Sequence, residues 1–166
     1  MNFETLLKNF TSSVEENDGK KLANLFIEDG VYDDYIYGPF KGRENIYTML
    51  HDHFHKDSKN LNWKMYDSVY LSGLGYARYR FSFTSTLKEH CGRKVAISGM
   101  AFFRLKDQLI EYYGESVNGG IAMAQLGLPA GKIKRVFEKW SDRLLKSDSE
   151  LNLMYTGKDT DIDISK

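Results

Sequence analysis

An aspartate set among tyrosines is the most reactive arrangement in this 166-residue sequence. Asp34 follows Asp33 and is bracketed by Tyr32, Tyr35 and Tyr37 in a β-branched, aromatic stretch from Val31 to Tyr37 that reads as a short strand. Burying an aspartate there requires hydrogen-bond partners and raises its pKa towards the range useful for general acid–base work. Alternate residues of a strand face opposite sides, so at most one of Asp33 and Asp34 points inward. Asp34 is the expected proton-transfer residue, and Tyr32 supplies a phenol beside it. His51, His53 and His55 lie on or just past a helical segment. His51 and His55 stand four residues apart and could share a metal, but no further ligands stand at matching spacing, so no metal is expected. His53 lies nearest the apolar Leu50/Phe54 face and is the second candidate proton carrier. Tyr79 and Tyr112 offer further phenols, and Trp63 and Phe103 apolar wall. Cys91 sits in a turn beside His90, and adjacency in sequence is not a nucleophile–base geometry.

Elements that could hold these groups follow from periodicity. Phe3, Leu6, Leu7, Phe10 and Val14 mark a helix over residues 3–15, which Asn17-Asp18-Gly19 breaks. Leu22, Leu25 and Phe26 mark a second, ended by Glu28-Asp29-Gly30. A third covers 43–55. The period then changes to two, giving strands from Asn62, over Tyr76–Leu87, Val95–Leu105 and Leu109–Val117, joined by short connections that argue for an antiparallel meander. In the second of these, Tyr79 and Phe81 share one face and Arg78 and Arg80 the other. If the arginines faced inward, the substrate would be a carboxylate or acyl thioester. After Gly119-Gly120 come a helical turn and an amphipathic helix over 131–146. A polar tail, expected to be loose, covers 147–166. The expected fold is α+β: a curved antiparallel sheet wrapped as a cone around N-terminal helices, with an added C-terminal helix, in a single domain over 1–146.

Composition limits the partners. Lys and Arg total 23, as do Asp and Glu, so no basic excess favours nucleic acid or a membrane surface. No apolar run approaches the roughly 20 residues that span a bilayer. The beginning of the chain lacks a signal-peptide core, so a cytoplasmic protein is expected. One cysteine excludes an internal disulfide, and Gly73-Leu74-Gly75 lies between strands rather than before a helix, so no dinucleotide or other cofactor is expected. Aromatics make up 14% of the chain, a surplus that suits either strands or the wall of a ligand cavity.

The order of elements, with Asn17-Asp18 between two helices, Leu25-Phe26 before Asp29, the acidic strand, Gly38-Pro39, and Gly42-Arg43 leading to Ile46, resembles the nuclear-transport-factor-2-like superfamily. That group includes ketosteroid isomerase, scytalone dehydratase and SnoaL-like polyketide cyclases. The resemblance covers about residues 3–117. It implies that Asp34 occupies the isomerase's proton-shuttling position. It places Phe10 and Ala101 where the isomerase has its oxyanion donors, and Ala77 where the dehydratase has a histidine. A ketosteroid isomerase of the familiar type is therefore not implied. It also implies that Tyr112 faces the pocket with Phe10, Trp63, Tyr79, Ala101 and Phe103, and that a homodimer forms through the outer sheet face around Ser98, Met100 and Phe102. The function expected is cofactor-free proton transfer (isomerisation, dehydration or cyclisation) on an apolar or ring-containing small molecule. The alternative is a non-catalytic ligand-binding or interaction module of the same fold.

Overall fold

The computed structural model describes residues 2–157. It divides into two units, residues 1–127 and 128–166. The first opens with helix α1 (Phe3–Glu15), started by the Asn2 side chain, which accepts from the Thr5 amide. Its apolar stripe is buried as the periodicity predicts. Helix α2 (Gly19–Ala23) is capped by Asp18. It is shorter than the sequence suggests, because Phe26 already begins strand β1 (Phe26–Asp34). Strand β2 (Gly38–Lys41) returns antiparallel to β1. Helix α3 (Arg43–Met49) follows and widens into a π-helical segment, Leu50–His55, where a uniform helix was expected.

Strands β3 (Ser58–Leu71), β4 (Leu74–Ser85), β5 (Lys94–Lys106) and β6 (Leu109–Val117) form the meander. The six strands make one curved, unclosed sheet in the order β2-β1-β6-β5-β4-β3. The β3–β6 neighbours are antiparallel, and β1 joins β6 in parallel. The core lies between the inner face of the sheet and α1. Phe10 is its centre: its ring stacks on Tyr32 (5.7 Å, 8°) and meets Phe26, Trp63, Phe103 and Tyr113. Helix α4 (Gly119–Leu126) completes this unit. Its Gln125 amide accepts from Ala96 N (2.8 Å) and donates to Ala96 O (3.1 Å), so it takes a strand's place where β6 has ended.

The second unit holds α5 (Ala130–Ser147) and α6 (Ser149–Thr156). Helix α6 occupies part of the stretch read as a loose polar tail, and residues 158–166 of that stretch lie outside the described residues. Among the described residues, no helix is long and apolar enough to cross a membrane.

Candidate active site

The inner face of β4 carries Ala77, Tyr79, Phe81 and Phe83, while Arg78 and Arg80 are exposed on the outer face over the Tyr66 ring. The phenol row therefore faces the core, as the first of the two registers has it. On β6 the register is less simple. Ile110 pairs with Leu105 and Tyr112 with Arg104, leaving Glu111 as an extra residue. Such a bulge reverses the facing of everything beyond it. Tyr113, Glu115 and Val117 consequently point inward. Tyr112, expected in the pocket, stands on the outer face, where its hydroxyl donates to Asp33 Oδ2 (2.6 Å). Gly114 makes this reach possible, since a Cβ there would lie 2.9 Å from the Tyr112 ring.

The acidic centre of the inner face is thus a pair, Asp34 and Glu115. Asp34 is 4% exposed. Its Oδ1 accepts from the amides of Ile36 (2.8 Å) and Tyr37 (2.7 Å), so one carboxylate oxygen shapes the turn between β1 and β2. Glu115 is half-buried. Its Oε2 accepts from the Tyr79 hydroxyl (2.8 Å) and the Tyr113 hydroxyl (3.2 Å), and its Oε1 accepts from the Tyr35 amide (3.5 Å). Tyr79 reaches Glu115 from two strands away because Gly99 lies between them. A Cβ on Gly99 would meet the Tyr79 ring and hydroxyl at 2.6 Å. Ala101, directly opposite Glu115 on β5, leaves similar space.

Electrostatics separates the roles. Desolvation pushes the Glu115 carboxyl up from 4.5 to about 7, and the neighbouring Asp34 charge adds to that push against the three hydrogen bonds that favour ionisation. Burial drives the phenols of Tyr32, Tyr79 and Tyr113 well above their usual value, and the charges of Glu115 and Asp34 push the same way. These phenols remain neutral hydrogen-bond donors at physiological pH.

Other expected site residues fall around this pair. Tyr32 (0% exposed) and Trp63 (4% exposed) belong to the ring cluster, and the Tyr32 hydroxyl and Trp63 Nε1 are buried without a hydrogen-bond partner among the described residues. Leaving a buried donor unpaired costs about 1–3 kcal/mol, a cost that falls on Trp63 Nε1, whereas the Tyr32 hydroxyl has the Tyr113 hydroxyl beside it. Phe10 and Phe103 are fully buried wall. His53 is half-buried and packs on Tyr37 (4.9 Å) and Phe40 (5.3 Å), one residue before Phe54, whose ring meets Tyr32. Desolvation first, then the Asp34 and Asp57 charges, push the Tyr37 phenol up to about 12. The structure brings together Asp34, Tyr32, Tyr79, Trp63, Ala101, Phe10 and Phe103, sets His53 at the rim and leaves Tyr112 outside. Sequence reasoning missed Glu115 and Tyr113, and the only available signal was the polar Glu115 within an aromatic strand. Among the described residues, no group of three or more His, Cys, Asp or Glu is placed to hold a metal ion.

A comparison with curated proteins finds no match. Solved structures do resemble this one. A protein of Catenulispora acidiphila with a ketosteroid isomerase-like fold, in complex with trimethylamine, matches with a TM-score of 0.69 at 17% identity, over 76% of this chain and 95% of that one. A putative SnoaL-like polyketide cyclase from Shewanella putrefaciens matches with a TM-score of 0.65 at 15% identity, over 76% and 96%. A putative polyketide cyclase from Xanthomonas campestris matches with a TM-score of 0.61 at 17% identity, over 74% and 95%. At these identities the likeness is one of fold. The sequence itself matches the SnoaL-like domain model over residues 7–113, so the chain belongs to the SnoaL-like domain family.

Proposed function

We propose that the first unit binds a small organic molecule against the inner face of its sheet and moves a proton within it without a cofactor. The reaction would be an isomerisation, dehydration or cyclisation. Glu115 and Asp34 act as the acid–base pair. Near neutral pH Glu115 exists in both protonation states, so it can remove a proton from substrate and return it elsewhere. Asp34 serves as the second carboxylate, and its charge raises the proton affinity of Glu115. Tyr79 and Tyr113 hold Glu115 in place, and the aromatic wall positions an apolar or ring-containing substrate. The observation that carries this reading is a carboxylate on an aromatic inner face, held by two phenols next to a second buried carboxylate. Solved structures of the same fold described as putative polyketide cyclases support the reading of an enzyme acting on a small molecule. Exposed Tyr76 and Met100, next to Phe102 on the outer sheet face, support the reading of that face as a homodimer surface.

One observation favours a non-catalytic interaction module instead: the rings around Phe10 pack against one another at 4.7–6.3 Å and occupy the middle of the fold. Turnover decides between them. Assayed against a panel of enones, hydroxy-ketones and polyketide mimics, the wild type is expected to act on a member, and Glu115→Gln to lose about a hundredfold or more in kcat. Asp34→Asn should also lose rate. No turnover by the wild type would favour the non-catalytic reading, whereas turnover unchanged in both variants would remove the pair from the mechanism.

A further inference from the structure

Helix α5 carries an apolar stripe bordered by a basic band. With 3.6 residues per turn, Ile133, Val136, Phe137, Trp140 and Leu144 fall within about 100° of one another around the helix. Lys132, Lys139, Arg143 and Lys146 fall within about 60° of one another, along the border of that stripe next to Val136. Glu138 and Asp142 lie on the opposite side, where Glu138 pairs with Lys134 (3.6 Å). Six basic side chains against two acidic ones give α5 a net charge of +4, which the balanced charge of the whole chain hides.

No residue of α5 or α6 is buried. Phe137 and Leu144 are 42% and 52% exposed, and α6 adds exposed Leu153, Met154 and Tyr155 after the Asp148 junction. A run of exposed apolar groups on this scale marks an interaction surface. The charges indicate what meets it. A second copy would bring the same +4 helix, and like charges oppose that pairing. A groove on an acidic protein grips one face of one helix, whereas here the exposed apolar groups continue onto α6. A lipid interface accepts both helices. Apolar side chains enter the acyl boundary, and lysine stems run along it with their ammonium groups among the headgroup phosphates. The Trp140 indole, edge-on to the Phe137 ring at 5.5 Å, is a side chain suited to that boundary. The 18 residues of α5 carry too much charge to cross the bilayer, so the helix lies in the plane of the interface.

We propose that α5 docks on an anionic lipid surface, with Ile133, Phe137, Trp140 and Leu144 in the acyl boundary and Lys139, Arg143 and Lys146 on headgroup phosphates. The chain would thereby be held at a membrane, where apolar small molecules concentrate. The attachment is peripheral and reversible, and it weakens as salt screens the basic band.

The test uses the full chain and co-sedimentation with vesicles of phosphatidylcholine alone or with one third phosphatidylglycerol. Trp140 fluorescence is followed in parallel, since Trp63 is buried and already shielded from water. The expected result is binding to the anionic vesicles at least about tenfold tighter than to the neutral ones, with a blue shift of the emission. Lys139→Gln/Lys146→Gln should bind about 25-fold more weakly, about fivefold for each lysine, and Lys139→Arg/Lys146→Arg should bind as wild type does. Phe137→Ser/Leu144→Ser should lose about tenfold or more while circular dichroism shows the helix content kept. Equal binding to both vesicles, or binding to neither, would overturn the proposal. Binding unchanged in the Phe137→Ser/Leu144→Ser variant would also overturn it, because the stripe would then lie outside the lipid. Poly-glutamate is the soluble control, and binding to it as tight as to the anionic vesicles would assign the helix to an acidic protein instead. A dimer in lipid-free buffer that the Phe137→Ser/Leu144→Ser variant loses would assign the stripe to a second copy and overturn the lipid reading.

Discussion

Asp34 combines a structural duty with a chemical one. Its Oδ1 closes the turn after β1 by accepting two amides, while its charge acts on Glu115. The two duties can be separated. Asn retains the acceptor oxygen and loses the charge; Ala loses both. Asp34→Ala is expected to destabilise the fold by about 1–3 kcal/mol, because two turn amides lose their side-chain acceptor. Asp34→Asn should stay within about 1 kcal/mol of wild type, and urea unfolding measures both. Asp34 was legible in the sequence because an aspartate between tyrosines in a strand has few ways of being tolerated. Glu115 was not. Strict alternation from Ile110 puts Tyr112 inside and leaves Tyr113 and Glu115 outside, and only the bulge at Glu111 reverses this. A one-residue bulge leaves little trace in local sequence, because it depends on the pairing of β6 with β5.

At the scale of elements, the periodic segments were readable: α1, the four long strands and α5 lie close to where their patterns place them. The misreadings occur where tertiary packing overrides local preference. Phe26 has the spacing of a helix face, but it is drawn into the core as the first residue of β1, opposite Ile110. The third helix changes to π-helical geometry at Leu50, within the segment that positions His53 and Phe54, and π-segments are frequent at functional sites. Strand β5 shows how an element can serve a site by lacking side chains. Gly99 provides the clearance over which Tyr79 crosses to Glu115. Gly99→Ala places a methyl group against the Tyr79 ring and against Ser116 O, both at 2.6 Å, and should cost about 1–3 kcal/mol in stability. It should also displace the Tyr79 phenol from Glu115, which a crystal structure of the variant would show directly. Tyr79→Phe, which removes the hydroxyl and keeps the ring, tests the hydrogen bond without the clash.

For the molecule as a whole, the acidic pair and the buried phenols shape stability against pH. Glu115 holds its proton to about pH 7 when folded and to about 4.5 when unfolded. Between those values the folded state binds more protons than the unfolded state, so stability declines as pH rises through that window. The loss levels off above pH 7 at up to about 3 kcal/mol. The raised phenols act in the same direction at higher pH, with stability falling again above about pH 10 as the unfolded tyrosines ionise. Glu115→Gln removes the first decline: its melting temperature should exceed that of wild type at pH 8 and match it at pH 4.5. Thermal unfolding across this range checks both limbs. The neutral net charge conceals local concentration. Helix α5 carries Lys132, Lys134, Arg135, Lys139, Arg143 and Lys146 against Glu138 and Asp142, whereas the inner face of the sheet carries acid alone.

The direct test of the acid–base pair is the titration of Glu115 itself, followed through the NMR signal of its 13C-labelled side-chain carboxyl in wild type and Asp34→Asn. A midpoint near 7 that falls when the Asp34 charge is removed is the predicted result. A midpoint near 4.5, indifferent to that substitution, would show two independent, solvated carboxylates and contradict the account.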